Sequence, residues 1–542
     1  MVITKIIFGI GSNMININKV VVVGGGSAGW MAAATFIKQF PDKEIVCIES
    51  PDFPIVGVGE STLGGIRVWT KFLDIDEKDF MKYTDASYKL AIKFTDFYDK
   101  DAGSFYYPFG KPHRKGTNFG LGDWYFKKAL YPDIPVSDYA YTFYPAVALC
   151  EKNKISENKS GVLPSWQKDM DVAYHFDAIK FGQWLKNNYC LPRGVKLIPS
   201  TVKNIITNKN GIESLELENG DLVSADLFID ATGFKSLLLE KTLEEEWLDY
   251  SEMLPNNRAW ATRIPYTDKE KELEPYTNCT AIQNGWVWNI PSWERIGTGY
   301  VYSDKYVTPE QALIEFKEYL KSNYMTVPDT NRDVDSFEYR DVPFRIGIHK
   351  RTWVKNVAAI GLAAGFIEPL ESNGLYTTHE FLLKMMMTVE RGKVSQNDID
   401  MYNAVTKNMF DTFAFFVSSH YAMSVRQDTK YWQDISSRQF DPTMQELDAK
   451  FSQGYLNLAE DLLTNHRLAA ESGLGCIATG LHHFPINKAV ADMFNLNSDN
   501  RDLYKEVEKV IKMWNALHID WEREADSSPT IYEYLKTNIY HE

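Results

Sequence analysis

Four consecutive valines running into three glycines do most to restrict what this chain can fold into. The stretch KVVVVGGGSAGWMAAATFIKQF, residues 19–40, reads as a buried strand, a tight turn and a helix. Gly24, Gly26 and Gly29 fit the GxGxxG spacing. That pattern needs glycine first for the turn, then for close approach of backbone to a pyrophosphate, then for helix packing. The helix start supplies unpaired N–H groups and a positive dipole end. EIVCIES, residues 44–50, reads as the next strand, and Glu49 near its end lies about 20 residues past the glycines, where an acid accepts ribose hydroxyls. The chain therefore opens as a dinucleotide-binding βαβ unit.

One rival reading uses the same residues. Gly25, Ser27 and Gly29 also satisfy GxSxG, the nucleophile elbow of hydrolases. An elbow normally follows several strands, and it leaves Glu49 without a purpose. A second nucleotide element, DLFIDATGF (226–234), ends a strand in the small-residue loop Ala231-Thr232-Gly233. Paired with the N-terminal glycines, it points to FAD rather than NAD.

At 542 residues the chain exceeds what one core usually serves. The expected organisation is an N-terminal extension (1–17), a mixed α/β body (18–395) and a mainly helical C-terminal part (396–542). The aromatic, irregular segment 95–170 could belong to either of the last two. Phe, Tyr and Trp make up 14% of residues, which favours aromatic-lined sites. A net charge of −15 argues against a nucleic-acid partner, whose phosphates need clustered Lys and Arg. Five scattered cysteines without a CxxC pair suit free thiols in a reducing compartment. No uncharged apolar run reaches membrane-spanning length, so a cytoplasmic location and no membrane partner are expected. Ten histidines form no HExxH or spaced Cys/His set, and no metal is expected.

Three further stretches carry chemistry. In GWVWNIP (285–291), strand alternation puts Trp286, Trp288 and Ile290 on one face, with Pro291 ending the strand or holding it at an edge. In SYKLAIKF (87–94), Lys89 and Lys93 face away from Tyr88, Leu90, Ile92 and Phe94. Most lysines are solvated surface groups, so composition alone gives neither one a role. IEPLESNG (367–374) offers two carboxylates, Glu368 and Glu371, followed by Ser372-Asn373-Gly374 at the start of a helix, a ready anion site.

Taken together, GGGSAGW, GVGEST, SYKLAIKF, HFDA (175–178), DATGF, GWVWNIP, GTGYVYS (297–303), RIG (345–347) and EPLESNG resemble, in order, the flavin-dependent tryptophan halogenases. The resemblance is collinear from about residue 18 to 435. It implies an FAD-binding Rossmann-type α/β body, like that of glutathione reductase or the aromatic hydroxylases, with mixed sheets and a mainly helical substrate domain. It implies FADH2 from a separate reductase, O2, and a flavin hydroperoxide that oxidises chloride, bromide or iodide to hypohalous acid. That acid would travel to Lys89, and Glu371 would take the proton from the halogenated ring. The halide would sit at Asn373 and Gly374. Trp286 and Trp288 would keep substrate from the flavin, while Tyr107 and Phe109 would line the substrate chamber. The cofactor would be held by Gly24, Gly25, Gly26, Ala28, Gly29, Glu49, Ser50, Phe53, Val56, Val58, Ser61, Val202, Asp230, Gly233, Leu362 and Leu375. A homo-oligomer would follow the family's habit.

The pattern is broken in places. Asn373 stands where the family usually has Thr, Tyr107-Pro108-Phe109 replaces a His-x-Phe pair, and GVGEST is followed by LGG rather than a proline. Residues 445–485 show no match to the stretch that grips tryptophan's amino-acid end. The expected substrate is therefore another small electron-rich arene, such as a different indole or a phenol. Two alternatives stay open: a flavin monooxygenase hydroxylating an aromatic substrate, and a flavin-binding partner protein with a dead site.

Overall fold

The computed structural model describes residues 14–51, 60–113, 123–324, 333–436, 473–483 and 500–541. Lys19–Val23 is an interior strand of a six-stranded sheet ordered Trp353–Val354, Val357–Ala359, Leu227–Asp230, Lys19–Val23, Glu44–Glu49, Lys196–Pro199. All neighbours are parallel except the first two. Covered on both faces, its strands can be continuously apolar; Val20, Val21 and Val22 are wholly buried. The helix Ser27–Gln39 returns across this sheet, as the glycine pattern predicts.

A seven-stranded sheet carries the two tryptophans of GWVWNIP. Its order is Arg340–Pro343, Arg258–Pro265, Arg295–Tyr302, Gly285–Pro291, Tyr276–Ile282, Ala91–Thr95, Ser104–Pro108. Only the pairing of Tyr276–Ile282 with Ala91–Thr95 is parallel. GWVWNIP is an interior strand, bonded on both sides, and Pro291 is its last residue rather than an edge marker. Alternation sorts its side chains into two cores. Trp286, Trp288 and Ile290 join the main core, while Val287 joins a second one with Phe316 and Leu320 of the helix Pro309–Tyr324.

SYKLAIKF departs from the single strand read in the sequence. It breaks at Leu90, whose N–H donates to the carbonyl of Pro275. Ser87–Lys89 pairs with Ala173–Phe176 in a small separate sheet, and Ala91–Thr95 enters the seven-stranded one. The break separates the environments of the two lysines. Lys89 is wholly buried, whereas Lys93 is half-buried over the rings of Tyr106 and Tyr276.

The chain beyond Gln396 is helical where described. Gln396–Ala422 starts with a capping box between Ser395 and Asp398. Asn500–Ser527 packs on the helices Asp123–Leu130 and Pro145–Glu151, which lie in the aromatic segment left open between the two parts. The C-terminal Tyr540 stacks on Trp293 with ring centroids 4.1 Å apart. Among the described residues, no helix is long and apolar enough to cross a membrane.

Candidate active site

The glycine turn is shaped for a dinucleotide. At Gly24, φ is +119° and a β-carbon would lie 2.3 Å from the carbonyl oxygen of Ala231. A β-carbon at Gly29 would lie 1.9 Å from the carbonyl oxygen of Gly24. These two positions admit only glycine, because strand, turn and DATGF loop close directly on one another. Gly26 differs: it begins the helix with no side-chain cap, and open space surrounds its β-position. That uncapped helix start, with Ala28 in its first turn, has the geometry that suits a phosphate. Ser27 donates instead to the carbonyl of Ala178 at 2.8 Å, an anchoring bond rather than a nucleophile facing a base.

The other expected cofactor residues surround this cradle. Glu49 lies against Gly25 and is paired with Lys186. Ser50 and Thr201 share a hydrogen bond at 2.7 Å, and Val202 begins the next strand. Gly233 opens a short helix with free space at its β-position, and Leu362 lies in the short helix Gly361–Ala363. Asp230 is different: its carboxylate accepts from Thr232, Leu238 and Leu239, so the side chain shapes its own loop. Phe53, Val56 and Val58 lie outside the described residues. The residues present fit FAD.

Lys89 is the centre of a second group of buried side chains. Its Nζ donates to the Thr62 carbonyl at 3.0 Å and to Ser372 Oγ at 2.8 Å, and it stands 5.0 Å from the centroid of Phe109. Burial lowers its pKa to about 7, while the nearby Glu371 pulls the other way. Ser61, expected at the cofactor, takes part here, receiving a hydrogen bond from Ser372 Oγ at 3.1 Å.

Glu371 ends the short helix Pro369–Glu371 and is wholly buried. Its Oε1 lies 2.7 Å from Nε2 of His420, on the long helix Gln396–Ala422. Burial raises the Glu371 pKa, against the pull of His420 and Lys89. Glu368, the other carboxylate of EPLES, has a separate task. Its Oε2 accepts from Asn256 at 2.7 Å, Tyr421 at 2.9 Å and the Trp286 indole at 3.0 Å. It thereby fixes the first tryptophan of the indole wall, which stands 6.1 Å from the second. Neither His420 nor the Glu368–Trp286 bond was found from sequence, because each joins residues far apart in the chain.

Ser372 adopts a left-handed conformation, φ +57°, and turns the chain into the helix Gly374–Val389. Asn373 precedes that helix without a side-chain cap and is almost wholly buried, and its Oδ1 has no partner among the described residues. Leu375 follows in the first turn, also buried. Free first-turn N–H groups and a positive helix end suit a halide. The LGG departure is explained nearby: a β-carbon at Gly65 would press on Tyr376 at 3.2 Å, so glycine lets that loop approach this helix.

Phe109, under the Lys89 amine, belongs to an aromatic cluster. Phe109 meets Tyr107 edge to face at 5.9 Å, and Tyr107 meets Phe416 at 6.1 Å. Phe94 and Phe416 flank His420. Gly473, opening the helix Gly473–Gly480, packs on Tyr107 and Phe416 so closely that a β-carbon there would collide with both. Among the described residues, no group of three His, Cys, Asp or Glu side chains is placed to hold a metal.

Comparison with known proteins gives a single answer. The sequence profile of the family described as tryptophan halogenase matches residues 19–492. The chain is 33% identical over 447 residues to the tryptophan 7-halogenase RebH of Lentzea aerocolonigenes, covering 79% of this chain and 81% of that one. It is 32% identical over 448 residues to the tryptophan 6-halogenase SttH of Streptomyces toxytricini, covering 79% and 82%. The solved structure of SttH superposes with a TM-score of 0.81 over 96% of this chain and 99% of that one, at 28% identity. VirX1 superposes with a TM-score of 0.86 over 97% of this chain and all of that one, at 34% identity. With the family profile over most of its length and relatives above 30% identity, the chain belongs to the tryptophan halogenase family of flavin-dependent enzymes.

Proposed function

We propose that this protein halogenates a small electron-rich arene other than free tryptophan, with Lys89 presenting the halogen and Glu371 removing the ring proton. The observation that carries this reading is the burial of both groups in one aromatic compartment, linked through Ser372 beside Glu371. A lysine with no solvent and a pKa of about 7 is a chemical group rather than a surface one.

Gly24, Gly25, Gly26, Ala28, Gly29 and Glu49 would hold FAD. Reduced FAD from a separate reductase supplies, with O2, the oxidising power that converts halide to hypohalous acid. The remaining work belongs to this chain's side chains. The start of the helix Gly374–Val389, at Asn373 and Gly374, holds the halide. Trp286 and Trp288 separate the arene from the cofactor, with Trp286 fixed by Glu368. Lys89 holds the electrophilic halogen at one point, which gives regioselectivity by position. Phe109, Tyr107 and Phe416 stack the arene. Glu371 stabilises the cationic arenium and then accepts its proton.

The test combines the protein with FAD, a flavin reductase, NADH, each halide and a panel of indoles and phenols, read by mass spectrometry. Halogenated arene, lost in Lys89→Ala while flavin reoxidation continues, supports the proposal. Hydroxylated products formed without halide would establish a monooxygenase instead.

A further inference from the structure

Lys89 stands at the head of a buried line of hydrogen bonds that runs away from the chamber. Its Nζ donates to Ser372 Oγ at 2.8 Å, and Ser372 Oγ donates to Ser61 Oγ at 3.1 Å. Ser61 Oγ lies 2.6 Å from Thr277 Oγ1, which lies 2.9 Å from Nε2 of His175. The other ring nitrogen, Nδ1 of His175, lies 3.1 Å from the carbonyl oxygen of Pro291. Every member is buried, from Ser61 at 7% exposure to Lys89 and His175 at none.

The far end sets the direction of the line. A carbonyl can only accept, and the Ser87 hydroxyl, 3.3 Å from the same Nδ1, gives its own hydrogen to the Pro291 carbonyl, so His175 carries its hydrogen on Nδ1 and offers a lone pair at Nε2. Burial, reinforced by the charge on Lys89, keeps this imidazole neutral. Thr277 must then donate to His175, Ser61 to Thr277, and Ser372 to Ser61. The Ser372 oxygen is left facing Lys89 as an acceptor. The Thr62 carbonyl is a second fixed acceptor at 3.0 Å. In the neutral amine both N–H bonds are thereby taken, and the lone pair meets no partner among the described residues.

We propose that His175 is a positioning residue that, through Thr277, Ser61 and Ser372, holds Lys89 with its amine lone pair aimed into the chamber, so that the lysine itself takes up the halogen. This deepens the proposed function and rests on it. In the step, the Lys89 amine attacks the halogen of hypohalous acid. The N–X bond forms as the HO–X bond breaks, and an amine proton leaves with the hydroxide as water. Transfer of the halogen to ring carbon returns the electron pair to nitrogen, and the ring proton passes by way of Glu371 to that nitrogen, which restores the amine. A line running the other way would make Ser372 a donor to the lone pair and block the first step.

Thr277→Val and Thr277→Ser test this midway along the line, away from both ends. The enzyme is run with FAD, reductase, NADH and bromide without arene, and the Lys89 peptide is read for bromine by mass spectrometry. Arene halogenation, KM for the arene and flavin reoxidation are measured in parallel. Thr277→Val is expected to lower both Lys89 bromination and kcat roughly fivefold to tenfold, the weight of one oriented hydrogen bond. Flavin reoxidation and KM should hold, and Thr277→Ser should restore both losses. Full activity and full Lys89 bromination in Thr277→Val would overturn the inference, as would equal loss in Thr277→Ser, which would make the effect one of packing. A wild-type Lys89 that never carries bromine, in an enzyme that Lys89→Ala still kills, would overturn the lone-pair assignment alone. Halogenation surviving in Lys89→Ala would overturn the role of Lys89 itself.

Discussion

Nε2 of His420 lies 2.7 Å from Oε1 of Glu371, and both residues are wholly buried. Nδ1 of His420 faces the Phe416 carbonyl at 3.0 Å and so carries a hydrogen. Burial of Glu371 favours the acid form. The neighbouring His420 pulls the Glu371 pKa down and so favours the base form. His420→Gln removes that downward pull, so Glu371 should become protonated at higher pH than in the wild type. The acidic limb of the kcat–pH profile is expected to move upward, with a loss of roughly 10²-fold near neutrality. A primary isotope effect from substrate deuterated at the halogenated carbon should appear as proton removal becomes limiting. An unchanged profile and no isotope effect would dismiss the pairing.

Lys89 has a cost in stability whose sign is fixed. Its folded pKa of about 7 lies below the value of about 10.4 in an unfolded chain. Folding therefore disfavours the charged form, so stability is lower below pH 7 and rises as pH climbs from 7 towards 10. Replacing the amine with an apolar side chain of similar length removes this burden. Lys89→Met should raise stability at pH 6 by a few kcal/mol, up to about 4, while abolishing halogenation. Thermal melts from pH 6 to pH 10 should show the gap between the two proteins closing as pH rises.

What could be read in advance follows from range. The glycine turn, the indole wall and the helix after Asn373 are local patterns, with periods and caps that appear within one stretch of chain. The break at Leu90 was not legible, because the Pro275 carbonyl that causes it is distant in sequence. Lys89 was singled out by resemblance alone, since nothing in its neighbours distinguishes a buried lysine from a surface one. His420, the Glu368–Trp286 bond and the Thr277–His175 contact each unite separate elements. No spacing rule covers such meetings; only the packed sheet makes them.

The position of Trp288 depends on Gly299. These residues are direct partners on adjacent strands, and a β-carbon at Gly299 would lie 2.2 Å from the far edge of the Trp288 ring. It would also press on the Trp260 carbonyl at 2.5 Å, which is backbone and cannot yield. Gly299→Ala should therefore push the Trp288 ring off its seat and open the indole wall. The expected result is partial loss of halogenated product, with oxygenated arene or hydrogen peroxide appearing in its place. Trp288→Ala should give the same products without the backbone strain. Stoichiometry of halogenated arene per O2 consumed is the measurement; a ratio unchanged in both variants would remove the barrier role from Trp288.

Asn373 bears on the choice among halides. Its side chain is buried beside the proposed halide position, and its Oδ1 has no partner among the described residues. The backbone groups that would hold the ion do not depend on the side chain, so Asn373→Thr should keep activity. The volume and polarity beside the ion change, however, and halides differ in radius and in the cost of losing water. Competition between chloride, bromide and iodide is scored as the ratio of halogenated products. That ratio should shift severalfold between the wild type and Asn373→Thr, with total turnover held within about threefold. A difference of about 1 kcal/mol between two ions, within the range of one buried polar contact, is enough for such a shift. If the product ratio stays constant while the backbone site remains active, Asn373 acts only as part of the turn, and the discrimination among halides must be made elsewhere along the path to Lys89.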